Sequence, residues 1–470
     1  MSTLTTASPV QASEVSVPSP PSPQGPSVLQ LIARSLLLLG LFAAPWAYGA
    51  VRPWAWGGLA VLAWLTLFVW VLACVQRGRI RLLGSPLYWL FLGLLVLAAL
   101  QFAAGWTYDH VATREAVIKI STDLLLFFLA GQLFNTLPEN GRALRWLGFT
   151  ASVLCVAVST LALAQFFTST RAIYWRVVPP IGWPFGPYVN HNHYGGLMEM
   201  LIPLSAGYLF SRRTTSTLRY FLWLLLAFPV VSVLFSESRG ATASIVIEGL
   251  ILAALIAFKS PRSVRAGAVV LGGLAAGLAL GIFLWLNSGH VPARLQTMLK
   301  PQAEMHDRLA VSRVALRMFA SHPILGVGMG CYEYAFPAYV DFVTELHWTH
   351  AHNDYAELLA EAGVPAGLLM LAGLVVFLRS GFRHLKDRLR HESGWIQVGA
   401  AVSCAGLLCH SFVDFNLRIA ANAAWFVVCL AVAVHPRSGQ GAVRKNSLAT
   451  SGAGSGKAET GSSLGEAPQN

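Results

Sequence analysis

His350 and His352 stand one residue apart at the head of Thr349-His-Ala-His-Asn-Asp-Tyr-Ala-Glu-Leu-Leu-Ala-Glu-Ala-Gly363. A histidine has an ordinary pKa of about 6.5, so near neutral pH it is mostly uncharged and able to accept a proton. Asn353 or Asp354 can cap a short helix immediately afterwards. In that helix Tyr355, Leu358, Leu359 and Ala362 share one face and Asp354, Glu357 and Glu361 the other, until Gly363 and Pro365 stop it. The pattern predicts a segment lying along an outer surface with the histidines at its head. With His347 and Asp354 they also offer donors to a metal ion, but His-x-His on an irregular strand is a loose match to metal spacing. Capping and structural roles are the third reading. A general base or a substrate ligand is the first.

Three more constellations carry chemistry. Tyr188-Val-Asn-His-Asn-His-Tyr-Gly-Gly196 supplies Asn190, Asn192 and His193, suited to sugar hydroxyls or phosphate oxygens, with two glycines that permit close backbone approach. Helix capping is the plain alternative for its asparagines. Ser236-Glu-Ser-Arg-Gly-Ala-Thr242 fixes Arg239 in a short connection, where a guanidinium can grip a phosphate with two parallel hydrogen bonds or merely snorkel to headgroups. On a helix predicted over about 304–320, Leu309, Val311, Val314, Ala315, Leu316, Met318 and Phe319 form an apolar face, opposite Arg313 and Arg317. Arg308 falls within that face, which points it into the protein unless Asp307 or Glu304 neutralises it in the first turn. Glu199, Glu248, His410 and Asp414 lie in or beside apolar segments with roles left open.

The elements that must hold these residues are membrane helices. Of 470 residues, 55% are hydrophobic and only 11% charged, against about 25% charged in soluble domains. Apolar runs long enough to cross a hydrocarbon core of about 30 Å recur at 29–49, 53–75, 86–104, 115–136, 146–168, 192–210, 217–236, 240–258, 267–286, 364–380, 394–413 and 418–435. The expectation is an all-α polytopic membrane protein with about 12 transmembrane helices, because backbone groups cannot go unpaired in lipid. Residues 287–351 would form a large periplasmic loop containing helices, and 28–437 one membrane domain. Residues 1–27, rich in Pro, Ser and Thr, and 438–470, rich in Gly and Ser, read as disordered tails. The net charge of +12 is a topology signal. Arg77, Arg79, Arg81, Arg142, Arg145, Arg212, Arg213, Arg379 and Arg383 fall on one side when the spans are threaded, which places both termini in the cytoplasm. A nucleic-acid partner is thereby disfavoured. Five cysteines lie inside spans, so no disulfide framework is available.

Taken together, Asn190-His-Asn-His-Tyr194, Ser238-Arg-Gly240, Arg308 ahead of His322-Pro-Ile-Leu-Gly-Val-Gly-Met-Gly330, His350 to Gly363 and His410-Ser-Phe-Val-Asp-Phe415 resemble the O-antigen ligase superfamily. The resemblance covers about 30–435. One departure is Ser312, where the family usually carries an aromatic residue a turn after the loop arginine. The resemblance implies a bacterial inner-membrane glycosyltransferase acting on the periplasmic face, without metal or other cofactor. Its donor would be an undecaprenyl diphosphate-linked glycan, and its acceptor lipid A–core in a ligase or a second lipid-linked glycan in an O-antigen or exopolysaccharide polymerase. Arg239 and Arg308 would hold the diphosphate and His352 would deprotonate the acceptor, with His350, Asn190, Asn192, His193 and Asn353 also contacting substrate. Membrane lipids are the remaining partners. A small-solute transporter is the rival class, but transporters bind at the bilayer midplane between repeats, whereas here the polar motifs gather at one rim.

The charge pattern generates a topology test. In a cysteine-free background, a cysteine at Ser288 should react with an impermeant reagent from outside, and one at Ser447 only after permeabilisation. The opposite pattern would invert the orientation.

Overall fold

The computed structural model describes residues 25–78, 80, 82–135, 141–169, 172–180, 182–211, 216–259, 302–344, 347–383 and 385–435. Its helices in chain order are α1 (Val28–Ala43), α2 (Pro53–Gln76), α3 (Leu87–Ala103), α4 (His110–Asn135), α5 (Arg142–Thr168), α6 (His191–Phe210), α7 (Ser216–Ser236) and α8 (Arg239–Lys259). They continue with α9 (Gln302–Ser321), α10 (Tyr332–Tyr339), α11 (Asp354–Arg383), α12 (Leu385–Arg390), α13 (Gly394–His410) and α14 (Ala420–Val434). Among the described residues there is no β-strand; Ile173 with Val177 and Phe185 with Tyr188 form isolated bridges. Local chemistry starts the helices where it should. Ser27 and Gln30 close a reciprocal capping box on α1, and Pro53 opens α2 at a position whose N–H needs no partner.

Six of these helices are long and apolar enough to cross a membrane: α1 with the turn that extends it, α2, α4, α5, α8 and α11. Their outer faces carry large apolar side chains, among them Trp64, Phe68 and Val75 on α2 and Leu368 and Leu371 on α11. Contiguous exposed apolar surface of that kind is rare in water and ordinary in lipid. Shorter apolar helices occupy Leu87–Ala103, Trp223–Ser236, Gly394–His410 and Ala420–Val434. The apolar runs expected at about twelve places therefore coincide with helices wherever the chain is described; the run at 267–286 and both tails beyond residue 25 and residue 435 lie outside the described residues.

Helix α6 is the axis of the bundle. Every residue from Asn192 to Leu209 is buried, because α5, α7, α8, α13 and α14 pack around it. A helix so enclosed can carry Glu199 only if the bundle supplies a partner. A second, smaller core sits apart. Val311, Val314, Ala315 and Met318 of α9 pack against Tyr332, Ala335 and Phe336 of α10 and against Ala351, Ala356 and Ala360. The predicted helix and most of its apolar face are thus present, but Leu309 and Leu316 remain exposed.

Helix α11 is broken as its sequence predicts. Gly363 lies at φ 66°, ψ −161°, inside the run from Asp354 to Arg383, a backbone region essentially reserved for glycine. A Cβ there would also meet the Ile324 carbonyl oxygen at 2.5 Å. The break turns the short head, Asp354–Ala362, away from the apolar remainder. Gly363→Ala should therefore lower the unfolding temperature of detergent-purified protein by several degrees, from a strain of about 1–3 kcal/mol. Gly249→Ala, where a Cβ meets nothing within 4 Å, should leave that temperature unchanged or raise it.

Candidate active site

Asp414 is the centre on which the motifs converge. It is fully buried, in the connection between α13 and α14. Its Oδ1 accepts the Phe415 N–H at 2.8 Å and lies 3.6 Å from both His193 Nε2 and His352 Nδ1. Its Oδ2 lies 3.4 Å from Arg308 Nη1, which also donates to the Val413 carbonyl at 3.1 Å. At 3.6 Å the imidazole nitrogens are charge neighbours and not hydrogen-bond donors. Burial would push the Asp414 carboxyl up, but His193, His352 and Arg308 together hold it well below the ordinary carboxylate range.

The same convergence is built around one aromatic ring. His350 stacks on Phe415 with ring centres 4.3 Å apart, while His193 and His352 approach it edge to face at 4.5 and 4.8 Å. Motifs far apart in sequence, at 190–194, 350–352 and 410–415, thereby meet. His352 adopts φ 50°, a left-handed backbone uncommon for a residue with a side chain. Ser312, the departure from the family pattern, donates its hydroxyl to the Ala351 carbonyl at 2.8 Å and so ties α9 to the histidine segment.

The acidic face of the α11 head runs against expectation. Asp354, Glu357 and Glu361 are buried, not turned to water. The reason is a set of partners that only the fold assembles. Glu357 pairs with His350 Nδ1 at 2.8 Å, accepts the Ala351 N–H at 2.7 Å and meets Arg418 Nε at 3.2 Å. Glu361 pairs with Arg418 Nη2 at 2.7 Å and accepts the Tyr332 N–H at 3.3 Å. Asp354 Oδ2 accepts the Leu417 N–H at 3.2 Å. The head is thus bolted to the 411–419 connection that carries Asp414.

The remaining expected residues divide by their surroundings. Asn190 and Asn353 commit their side-chain oxygens to helix caps, Asn190 to the Asn192 N–H and Asn353 to those of Tyr355 and Ala356. Asn192 is buried with its amide nitrogen unpartnered. Arg239 is exposed at the first residue of α8. Gly195 and Gly196 do permit close approach, but to protein. A Cβ on Gly195 would meet Ala241 at 2.4 Å, and one on Gly196 would meet Asn416 Oδ1 at 2.1 Å. His347 leaves the group for Glu333, 2.5 Å away on an exposed face. Among the described residues no three His, Cys, Asp or Glu side chains are arranged to hold a metal ion.

Arg418, Phe415 and Glu357 escaped the sequence reading as site components. Arg418 had a signal: an arginine in a short connection on the side that the charge rule leaves poor in cations. Phe415 had only its place at the end of the His410–Phe415 motif, because a phenylalanine beside an apolar run is otherwise ordinary.

Fold and site together define a helical membrane protein with a polar, histidine-lined cluster at one end of its bundle. Residues 224–371 match the family model described as O-antigen ligase. This match supports the O-antigen ligase superfamily, the resemblance that the motifs carry. No curated protein matches the chain. The matched segment contains Arg239, Arg308, His350 and His352. His193 and Asp414 lie outside it and join through geometry.

The ion cluster generates a stability test. Arg418→Met would remove the cation shared by two buried carboxylates, so unfolding in detergent should be easier by about 3–5 kcal/mol. Arg418→Lys should recover only part, since one ammonium cannot reproduce the guanidinium fork that reaches Glu357 and Glu361 together.

Proposed function

We propose that this protein transfers a glycan from undecaprenyl diphosphate to an acceptor hydroxyl, in the manner of an O-antigen ligase with lipid A–core as acceptor. The single observation that carries the reading is Asp414, which draws the arginine needed by the donor and the histidine needed by the acceptor to one carboxylate. In this reading residues 28–437 form one domain of about twelve inner-membrane spans, with both termini cytoplasmic and the site on the periplasmic face.

The chemistry follows from the parts. The diphosphate is already a good leaving group and needs cations in place of an acid. Arg308 spends one nitrogen on Asp414 and Val413; its other donors, with Arg239, stabilise charge as the glycosidic bond breaks. His352 presents Nδ1 to Asp414, which favours a proton there and leaves Nε2 as the base. The acceptor hydroxyl gives its proton to Nε2 as its oxygen bonds to the anomeric carbon, and undecaprenyl diphosphate departs with the electron pair. Attack opposite the leaving group inverts that carbon. His350, held by Glu357, and His193, held beside Asp414, contact sugar hydroxyls, as do the amide groups of Asn190, Asn192 and Asn353. No metal enters.

Transfer by purified protein should persist in excess chelator. His352→Ala should lower turnover by about 10²–10⁴-fold while donor binding stays near normal. Arg308→Ala and Arg239→Ala should instead weaken donor binding, far more than Arg313→Ala, whose side chain is exposed on the opposite side of α9. Full turnover in His352→Ala, or equal damage from Arg313→Ala, would overturn these roles. Product formation with lipid A–core absent, from the lipid-linked glycan alone, would point to a polymerase.

A further inference from the structure

Beneath the site lies a buried polar group that the proposed chemistry does not use. His410, the last residue of α13, is 2% exposed, and its Nδ1 lies 2.6 Å from Oε1 of the fully buried Glu199 on α6. The same nitrogen lies 3.3 Å from Asn416 Nδ2. Asn416 in turn accepts from Asn422 Nδ2 at 3.1 Å, and Asn422 donates to the His193 carbonyl at 2.9 Å. On its other side the imidazole packs against Gly240, where a Cβ would stand 2.4 Å from Nε2.

His410 is therefore in contact with three elements that carry different parts of the site. Gly240 adjoins Arg239 at the start of α8. Asn416 follows Asp414 by two residues in the connection to α14. Glu199 is anchored in the enclosed helix α6, which also carries His193. We propose that His410, held by Glu199, is a positioning residue that fixes Arg239 relative to Asp414 and its partner Arg308. A diphosphate gripped by two arginines demands a set spacing between them, and a misplacement of about 1 Å in such a clamp can cost about 10²-fold. The inference rests on the reading of Arg239 and Arg308 as donor ligands.

The test is a set of double-mutant cycles on the full chain, with an undecaprenyl diphosphate-linked glycan as donor and saturating acceptor. His410→Ala should raise the donor KM by about tenfold, with kcat at saturating donor changed by less than about threefold. Combined with Arg239→Ala it should add little, because the arginine it positions is gone. Gly240→Ala should raise the donor KM in the native background, where its methyl group meets the imidazole, and have no effect beside His410→Ala. Glu199→Gln, which keeps an acceptor for His410, should stay within about threefold of native while Glu199→Leu behaves as His410→Ala. Multiplicative effects of His410→Ala and Arg239→Ala, or losses in kcat that track the unfolding temperature, would overturn the inference and leave the donor site standing. An unchanged donor KM in Arg239→Ala would instead overturn the donor site itself. Should His410→Ala fail to insert, Gly240→Ala with Arg239→Ala runs the same cycle, and additivity there decides against the inference.

Discussion

A carboxylate removed from water must be met by cations or dipoles, and the whole polar end of this bundle is organised by that demand. Asp414 is met by Arg308 and two imidazoles; Glu357 and Glu361 are met by Arg418 and His350. Apart from the local His350–Glu357 pair, each of these joins elements distant in sequence, so satisfying the charges also fixes the tertiary arrangement. An isolated ion pair at a protein surface contributes little, whereas breaking a buried one is severe. The site's geometry is therefore coupled to the fold's integrity. The two arginines paired with these carboxylates differ in how they are engaged: Arg418 is bound through two nitrogens by two carboxylates, whereas among the described residues Arg308 meets Asp414 and Val413 through one.

The two histidines differ in how firmly the same pairing holds them. His350 is hydrogen-bonded to Glu357 and stacked on Phe415, which limits its movement. His352 has a looser carboxylate neighbour and a left-handed backbone. Strain of this kind costs about 1–3 kcal/mol and persists only where surroundings enforce it. Here they consist of the Ser312 bond to Ala351 before it and the Asn353 cap after it. A residue held against its backbone preference on both flanks is one whose direction matters.

Much of this was legible in the sequence where one element suffices to specify it. Apolar runs gave helices, Gly363 and Pro365 gave the break in α11, and the helical wheel gave Arg308 its inward direction. Partners were not legible. The acidic face of Asp354, Glu357 and Glu361 looks solvated on a wheel, because a wheel contains neither Arg418 nor the Leu417 and Tyr332 amides. The paired glycines at 195 and 196 signalled close approach, but only the packed structure shows that Ala241 and Asn416 are what approach. Periodicity reports how a residue faces relative to its own element, while the neighbour across the gap comes from a part of the chain that periodicity does not see.

Those two glycines have a consequence for which parts of the chain tolerate change. With hydrogen as the largest side chain tolerated at two successive positions of α6, that wall of the site has no room to drift, and neither do the segments pressed on it. The small core of α9, α10 and the α11 head is separate from the main bundle, so its outer surface can be rewritten without disturbing α6. One side of the polar cluster is thus held at the spacing of a hydrogen atom, while the other is backed by a core of its own.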